Sequence, residues 1–457
     1  MSFKDVLSSV KEDFFSDSNK DLKRKPFKGP LVICYGDSFK KGGLKKVKSF
    51  LDKTNFENVH ILPFHPTDGD FGFSVQDYKN VRKELGSFED IKKISENYVV
   101  VSDLVLNHCS FDNKQFGEEF FLSYDKEPKH NSVFRPRIHN LFTKKNNKYY
   151  WTTFSDKQFD IDFSKKEVYN KFKEIIDNYF NFGVSVLRLD AVGYVFKDPN
   201  KSSFCEPESY DVCGLFSDYV NFNKKGYTIA EINAPSIFNM SFLKCSNFVY
   251  NFDLTSSLCY SFFYEDSKKL YKVQYSDRFI NPVSTHDGIP MLSLLDDKYN
   301  FSNDLKEKGF EVSYKDFKTP YELNSSLFSL FGKEGVRAIC AICFFVPGIP
   351  SIFINDFFLK ENIEGKRREI HRGKLDEIAD FDPVLNSLLK DCKNLKGSLN
   401  LIEDKKELFV AKRGNVLCVV NLSKKEVDFK VEGYDLISKK EVKKKKLKSY
   451  EFYWISS

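Results

Sequence analysis

Short apolar runs alternate with longer amphipathic stretches along most of this chain. The runs cover 31–35, 59–64, 99–106, 184–190, 227–231, 248–253, 280–284 and 351–356. Several are apolar almost without interruption, the pattern of parallel strands covered on both faces. Between them, a period near 3.6 predicts helices over 43–53, 88–97, 165–182, 236–245 and 333–344. Strands separated by helices in this way predict an α/β fold, a closed (β/α)8 TIM barrel. The rival is a doubly wound open sheet, but no G-x-G-x-x-G follows the first run.

Two stretches interrupt the alternation, 109–163 after the third strand and 288–332 after the seventh. Both are expected to project from the C-terminal face, where barrel enzymes build their sites. After residue 391 the pattern becomes short strands, ELFVAK, NVLCVVNLS, EVDFKVEG and SYEFYWIS, predicting a small antiparallel domain. The expected organisation is an extension over 1–28, a barrel built from 29–108, 164–287 and 333–391, inserted subdomains over 109–163 and 288–332, and a β domain over 392–457. The run KKEVKKKKLK in the tail reads as a solvated turn between strands.

Composition narrows the chemistry. Lys+Arg 71 against Asp+Glu 65 leaves a formal +6 over 457 residues, too small an excess for a protein built around nucleic acid. Eleven of those cations are Arg, so an Arg in this Lys-rich chain points to a need for planar, bidentate recognition. The ten Cys are irregularly spaced and Cys340-x-x-Cys343 has no second ligand pair; buried free thiols are expected. The N-terminus has no apolar segment of the secretory kind and no stretch reaches 18 apolar residues, so a soluble, cytoplasmic protein without membrane partners is expected.

The chemistry gathers at strand ends. The third strand ends in DLVLNH (Asp103, Asn107, His108), the fourth in LRLDA (Arg188, Asp190), the fifth in AEIN (Glu231), and the seventh runs into THDG (His286, Asp287). Arg188 and Asp190 are two apart and so share one side of their strand. Carboxylates from four strands converging on one barrel mouth need compensating charge, which Arg188, His108 and His286 supply.

These segments resemble the four short conserved regions of the α-amylase superfamily (glycoside hydrolase family 13). The chain is most similar to its sucrose phosphorylase group through HILPF…DGDFGF, RPR, WTTFSDKQFDID, RLDAVGY, THDGI, Tyr321-x-x-Asn324, FFVPGIP and REIHR. The similarity runs from about Pro30 to about Lys390; the first 28 residues fall outside it. It implies that Asp190 is the nucleophile, Glu231 the general acid/base and Asp287 the carboxylate facing the transition state. A retaining glycosidase needs one ionised and one protonated carboxyl about 5–5.5 Å apart; Arg188 would keep Asp190 ionised and burial would keep Glu231 protonated.

The same resemblance places Asp68, His108, His286 and Arg372 around the glucosyl ring, with Asp70 two residues on as the alternative to Asp68. Tyr194 and Phe154 supply apolar walls, and Tyr321 and Glu322 lie in an acceptor loop. Arg135 and Arg137 of RPR match the phosphate-binding element, and Arg forks suit phosphate oxygens. Sucrose-using members of the group carry an acid at Thr319 and Gln at Glu322; Lys318 with Thr319 points instead to an anionic acceptor, while Glu322 points the other way. Related amylases bind Ca2+ near the residue matching Asn107; no metal and no cofactor is expected here. The resemblance thus implies a retaining α-glucosyl phosphorylase acting on sucrose or a related α-glucoside and phosphate, as a monomer or homodimer. The alternatives are a phosphorylase of an anionic-acceptor glucoside such as sucrose 6-phosphate or glucosylglycerate, and a hydrolase or transglucosidase with the same carboxylates.

Overall fold

The computed structural model describes residues 3–15 and 23–456. Eight parallel strands close into a barrel in sequential order: β1 (Leu31–Cys34), β2 (Asn58–Ile61), β3 (Val99–Val105), β4 (Val184–Asp190), β5 (Tyr227–Ala230), β6 (Phe248–Tyr250), β7 (Phe279–Pro282) and β8 (Ile349–Phe353). β1 pairs with β2 on one side and β8 on the other, which closes the cylinder. Every residue of β1, β2, β7 and β8 is buried, which is why these strands read as apolar runs rather than as alternation. The helices between them include Gly43–Leu51, Phe88–Ser95, Lys166–Asn181 and Leu327–Cys343. Ser87 and Asp90 form a capping box at the start of the second of these.

Leu31, Val101, Val186, Ile229, Tyr250, Ile280 and Ile349 pack together inside the barrel, joined by Phe27. The Phe27 ring meets Tyr227 at 6.1 Å and Phe248 at 5.1 Å. Arg24 lies over the Tyr227 ring at 4.1 Å and donates to the Gly226 carbonyl. The segment before β1 is therefore a stopper for the N-terminal end of the barrel, and burying its phenyl ring contributes about 1.5–3 kcal/mol. Further upstream, the helix Phe3–Phe15 lies against Lys166–Asn181 and Pro207–Tyr219, with Phe14 seated between Phe216 and Tyr219.

The segment after β3 carries the bridge between His108–Cys109 and Phe159–Asp160, and a small sheet of Ser123–Tyr124, Phe142–Lys145 and Lys148–Trp151. The segment after β7 carries a helix, Asp297–Glu307, and a hairpin, Glu311–Tyr314 with Pro320–Asn324. The tail folds as an antiparallel sheet of β9 (Leu399–Leu401), β10 (Leu408–Arg413), β11 (Val416–Asn421), β12 (Val427–Asp435), β13 (Lys440–Leu447) and β14 (Phe452–Ser456), in the order β9-β10-β11-β14-β12-β13. Trp454 of β14 donates its indole N–H to the Ala341 carbonyl, fastening this sheet to a barrel helix.

The lysine run corrects the sequence expectation: it is the edge strand β13, not a turn. Val442 and Leu447 are its less exposed apolar positions, and the lysines around them face water. Charged side chains on an exposed edge oppose pairing with another chain. All ten Cys are free, eight of them buried. No helix among the described residues is long and apolar enough to cross a membrane.

Candidate active site

Strand register sets the centre of the site. β3 and β4 pair with Asp103 beside Arg188 and Val105 beside Asp190, so one strand offers a carboxylate to the guanidinium of the next. Arg188 Nη1 donates to Asp103 and, at 2.6 Å, to Asp190 Oδ1; its Nη2 stands 3.6 Å from Glu231 Oε2. His60 of β2 holds the other Asp103 oxygen at 2.8 Å. Burial alone would raise Asp103, but His60 and Arg188 outweigh it and hold the carboxyl at about 2. One buried guanidinium thus fixes Asp190 and Glu231 next to each other.

Both of these carboxyls are held above the usual carboxylate range. Burial raises both; Arg188 opposes it at each, and Glu231 adds repulsion at Asp190. The short bond from Arg188 favours the ionised form on Asp190. Glu231 accepts only the Ala191 backbone N–H at 3.1 Å among close bonds and so is the better seat for the proton. Asp287 behaves oppositely. Its burial is overcome by the guanidiniums of Arg368 at 2.7 Å and Arg372 at 3.4 Å, which hold it well below the usual carboxylate range.

Asp190, Glu231, Asp287, His108, Phe154, Tyr194, Tyr321, Glu322 and Arg137 line a single cavity at the C-terminal ends of the strands. Arg188, His286 and Arg372 stand directly behind this wall. Arg372 donates Nε–H to the His286 carbonyl at 2.7 Å. The His286 ring stacks on Phe73 at 5.4 Å, and neither of its nitrogens has a hydrogen-bond partner among the described residues. Burial keeps His286 and His108 neutral, His108 at about 4. His108 meets the Gln158 amide at 2.9 Å and packs 5.1 Å from Phe154, which in turn meets Tyr194 at 5.2 Å.

Three residues singled out from the sequence lie elsewhere. Asp68 is not on the wall: Ser74 of its own loop and Ser110 of the segment after β3 donate to its carboxylate. Asp70 is on the cavity wall instead, accepting from Gln158 at 3.0 Å. The left-handed residues Asp70 and Phe71, at φ 45° and 52°, make the bend that exchanges them. Arg135 is half-buried and is not on the cavity wall. Lys318 is exposed in the hairpin turn beside Phe317, which is 82% exposed.

The sequence reading missed Gln158, Asn233 and Arg368, all on the wall. Arg368 is one of two adjacent arginines in a lysine-rich chain, so the scarcity of arginine was a usable signal for it. The cavity opens into a vestibule of about 810 Å³ bordered by Phe71, Arg137, Lys157, Tyr314 and Arg367.

Beside the site, the oxygens around Asn107 already have a cation. Lys197 Nζ donates to Asn107 Oδ1 at 2.7 Å and the Tyr194 carbonyl at 2.6 Å, and meets Asp160 Oδ2 at 3.0 Å. The Lys197 side chain is 2% exposed, and its ammonium ties the segment after β3 to the loop after β4. Among the described residues, no group of three or more His, Cys, Asp and Glu side chains is arranged to hold a metal ion. Lys197→Met should destabilise the protein by about 3–5 kcal/mol, since it leaves the buried Asp160 carboxylate without its cation; denaturant unfolding checks this.

The catalytic-domain model of the α-amylase family matches residues 12–257. Glucosylglycerate phosphorylase of Spirochaeta thermophila is 28% identical, the match covering 86% of this chain and 80% of that one. Sucrose 6(F)-phosphate phosphorylase of Thermoanaerobacterium thermosaccharolyticum is also 28% identical, over 79% of this chain and 86% of its own. The crystal structure of sucrose 6F-phosphate phosphorylase from Thermoanaerobacter thermosaccharolyticum superposes with a TM-score of 0.79 at 24% identity, covering 92% of this chain and 99% of that one. With its sequential eight-stranded barrel, its strand-end carboxylates and a family match over more than half its length, the chain belongs to the α-amylase family.

Proposed function

We propose that the protein is a retaining α-glucosyl phosphorylase of the sucrose phosphorylase type, with sucrose or a related α-glucoside as donor. The observation that carries this reading is one cavity in which Asp190 and Glu231 share a guanidinium while Arg137 and Arg368 face the same space. Relatives named as phosphorylases at 25–29% identity support the reaction class.

In the first step an Asp190 oxygen attacks the anomeric carbon, the glycosidic C–O bond breaks, and Glu231 gives its proton to the departing oxygen. Asp287 holds negative charge near the developing oxocarbenium, and Asp70 and His108, on the cavity wall, bind ring hydroxyls. In the second step a phosphate oxygen attacks the same carbon from the face the leaving group vacated. Its proton passes to Glu231, the ester bond to Asp190 breaks, and α-glucose 1-phosphate leaves with retained configuration. The second reading is a hydrolase or transglucosidase, in which water or a sugar takes the place of phosphate.

Glucose 1-phosphate rather than glucose as the product decides between these readings. A panel of fructose, fructose 6-phosphate, glycerate and glycerol, assayed with glucose 1-phosphate as donor, identifies the acceptor. Arg137 stands 3.4 Å from Glu322 and 5.2 Å from the Tyr321 ring. Arg137→Ala should raise the phosphate KM about 10- to 100-fold, the loss of one charge-assisted pair, and shift product from glucose 1-phosphate to glucose. An unchanged product ratio removes Arg137 from the phosphate site. Arg135→Ala and Lys318→Ala, outside the cavity wall, are the matching controls.

A further inference from the structure

Arg368 joins two carboxylates of different standing. Its Nη1 lies 2.7 Å from Asp287 Oδ1, and its Nη2 donates to Glu322 Oε1 at 3.0 Å and Oε2 at 3.3 Å. The Glu322 side chain is only 3% exposed and also meets Arg137 Nη1 at 3.4 Å and the Asn233 amide at 3.4 Å. Glu322 therefore sets two guanidiniums side by side on the wall that also holds Asp190 and Glu231. Asp287 does not depend on Arg368 alone, because Arg372 and His286 reach it as well. A sugar whose hydroxyls engage Asp287 competes with Nη1 and leaves that edge of the guanidinium free to turn.

We propose that Arg368 binds the attacking phosphate, turning its Nη1 edge from Asp287 to a phosphate oxygen so that Arg137 and Arg368 form a two-guanidinium clamp positioned by Glu322. The inference rests on the phosphorylase reading above. Charge gives the reason. Once Asp190 is esterified and Glu231 has given up its proton, the cavity still carries the carboxylates of Asp70, Glu231, Asp287 and Glu322. Phosphate entering beside them needs more than one cation, and Arg forks supply the directed N–H groups that its oxygens accept. The transfer itself is unchanged: the phosphate oxygen forms the new bond to the anomeric carbon, its proton goes to Glu231, and the electron pair of the broken ester bond returns to Asp190. Arg368 moves no proton and acts by binding.

The test compares wild type, Arg368→Ala and Arg368→Lys, with α-glucosyl fluoride as donor and inorganic phosphate as acceptor. The readouts are the phosphate KM, the ratio of glucose 1-phosphate to glucose, and fluoride release without phosphate. For Arg368→Ala the phosphate KM should rise about 10- to 100-fold, more than fluoride release falls. Arg368→Lys, which keeps the charge but loses the fork, should lie between, and added guanidinium should restore part of the phosphorolysis of the Ala variant. A phosphate KM that stays at the wild-type value overturns the inference. So does a loss of fluoride release as large as the loss of phosphorolysis, which would confine Arg368 to supporting Asp287. If wild type itself makes only glucose, the phosphorylase reading fails together with the clamp; if wild type makes glucose 1-phosphate and the variants keep its phosphate KM, the clamp alone fails. A misfolded Ala variant would show in its thermal melt, and Arg368→Lys then decides.

Discussion

Asp190→Asn should remove turnover of every donor, by roughly 10³-fold or more, because an amide cannot form the glucosyl ester. The substitution keeps size and shape, and Arg188 retains Asp103 and Glu231 as partners, so the barrel should fold as before. Fluoride release from α-glucosyl fluoride is the assay of choice, since it needs little help from an acid and isolates the attack. A variant that keeps more than about a thousandth of the wild-type rate would place the nucleophile elsewhere.

Glu231→Gln should divide donors by leaving group. Sucrose-like glucosides, whose departing oxygen needs a proton, should lose about 10²–10⁴-fold, while α-glucosyl fluoride should keep much of its first step. The pH profile gives a second check. In the wild type, poor leaving groups react more slowly as pH rises and Glu231 loses its proton, and burial places that limb above the ordinary carboxylate range. In the variant this alkaline limb should vanish. Asp190 must be ionised to attack, so its titration sets the acid limb; Glu231 is already protonated and neutral there, so that limb should stay in place. Equal losses on both donor types, with both limbs in place, would contradict the assignment.

The barrel was legible because strands buried on both faces are mostly apolar, so much of each run survives in the sequence. Two of the strand-end carboxylates were legible for the same reason: register fixes where Asp190 and Glu231 emerge. Loops carry no such period. Nothing in DGDFGF separates Asp68 from Asp70 until the positive φ values of Asp70 and Phe71 are known, and Gly72 at φ 111° is needed there because a Cβ would lie 2.6 Å from the Pro63 carbonyl oxygen. Rarity worked better than spacing for the cations. Four of the eleven arginines, Arg137, Arg188, Arg368 and Arg372, meet the carboxylates of the site. The lysine run failed for the converse reason: charges on both sides of an edge strand hide its two-residue period.

The stopper formed by Arg24 and Phe27 has a consequence for traffic. The barrel axis is filled below Arg188 by the side chains that pack on Phe27, so among the described residues the floor is closed. In the proposed reaction, the group that leaves after the first step and the one that arrives for the second share the vestibule between Phe71 and Tyr314. Departure has to precede arrival. The released alcohol and the incoming nucleophile therefore contend for one doorway, and a high concentration of the first should delay the second even where the two have no binding residue in common.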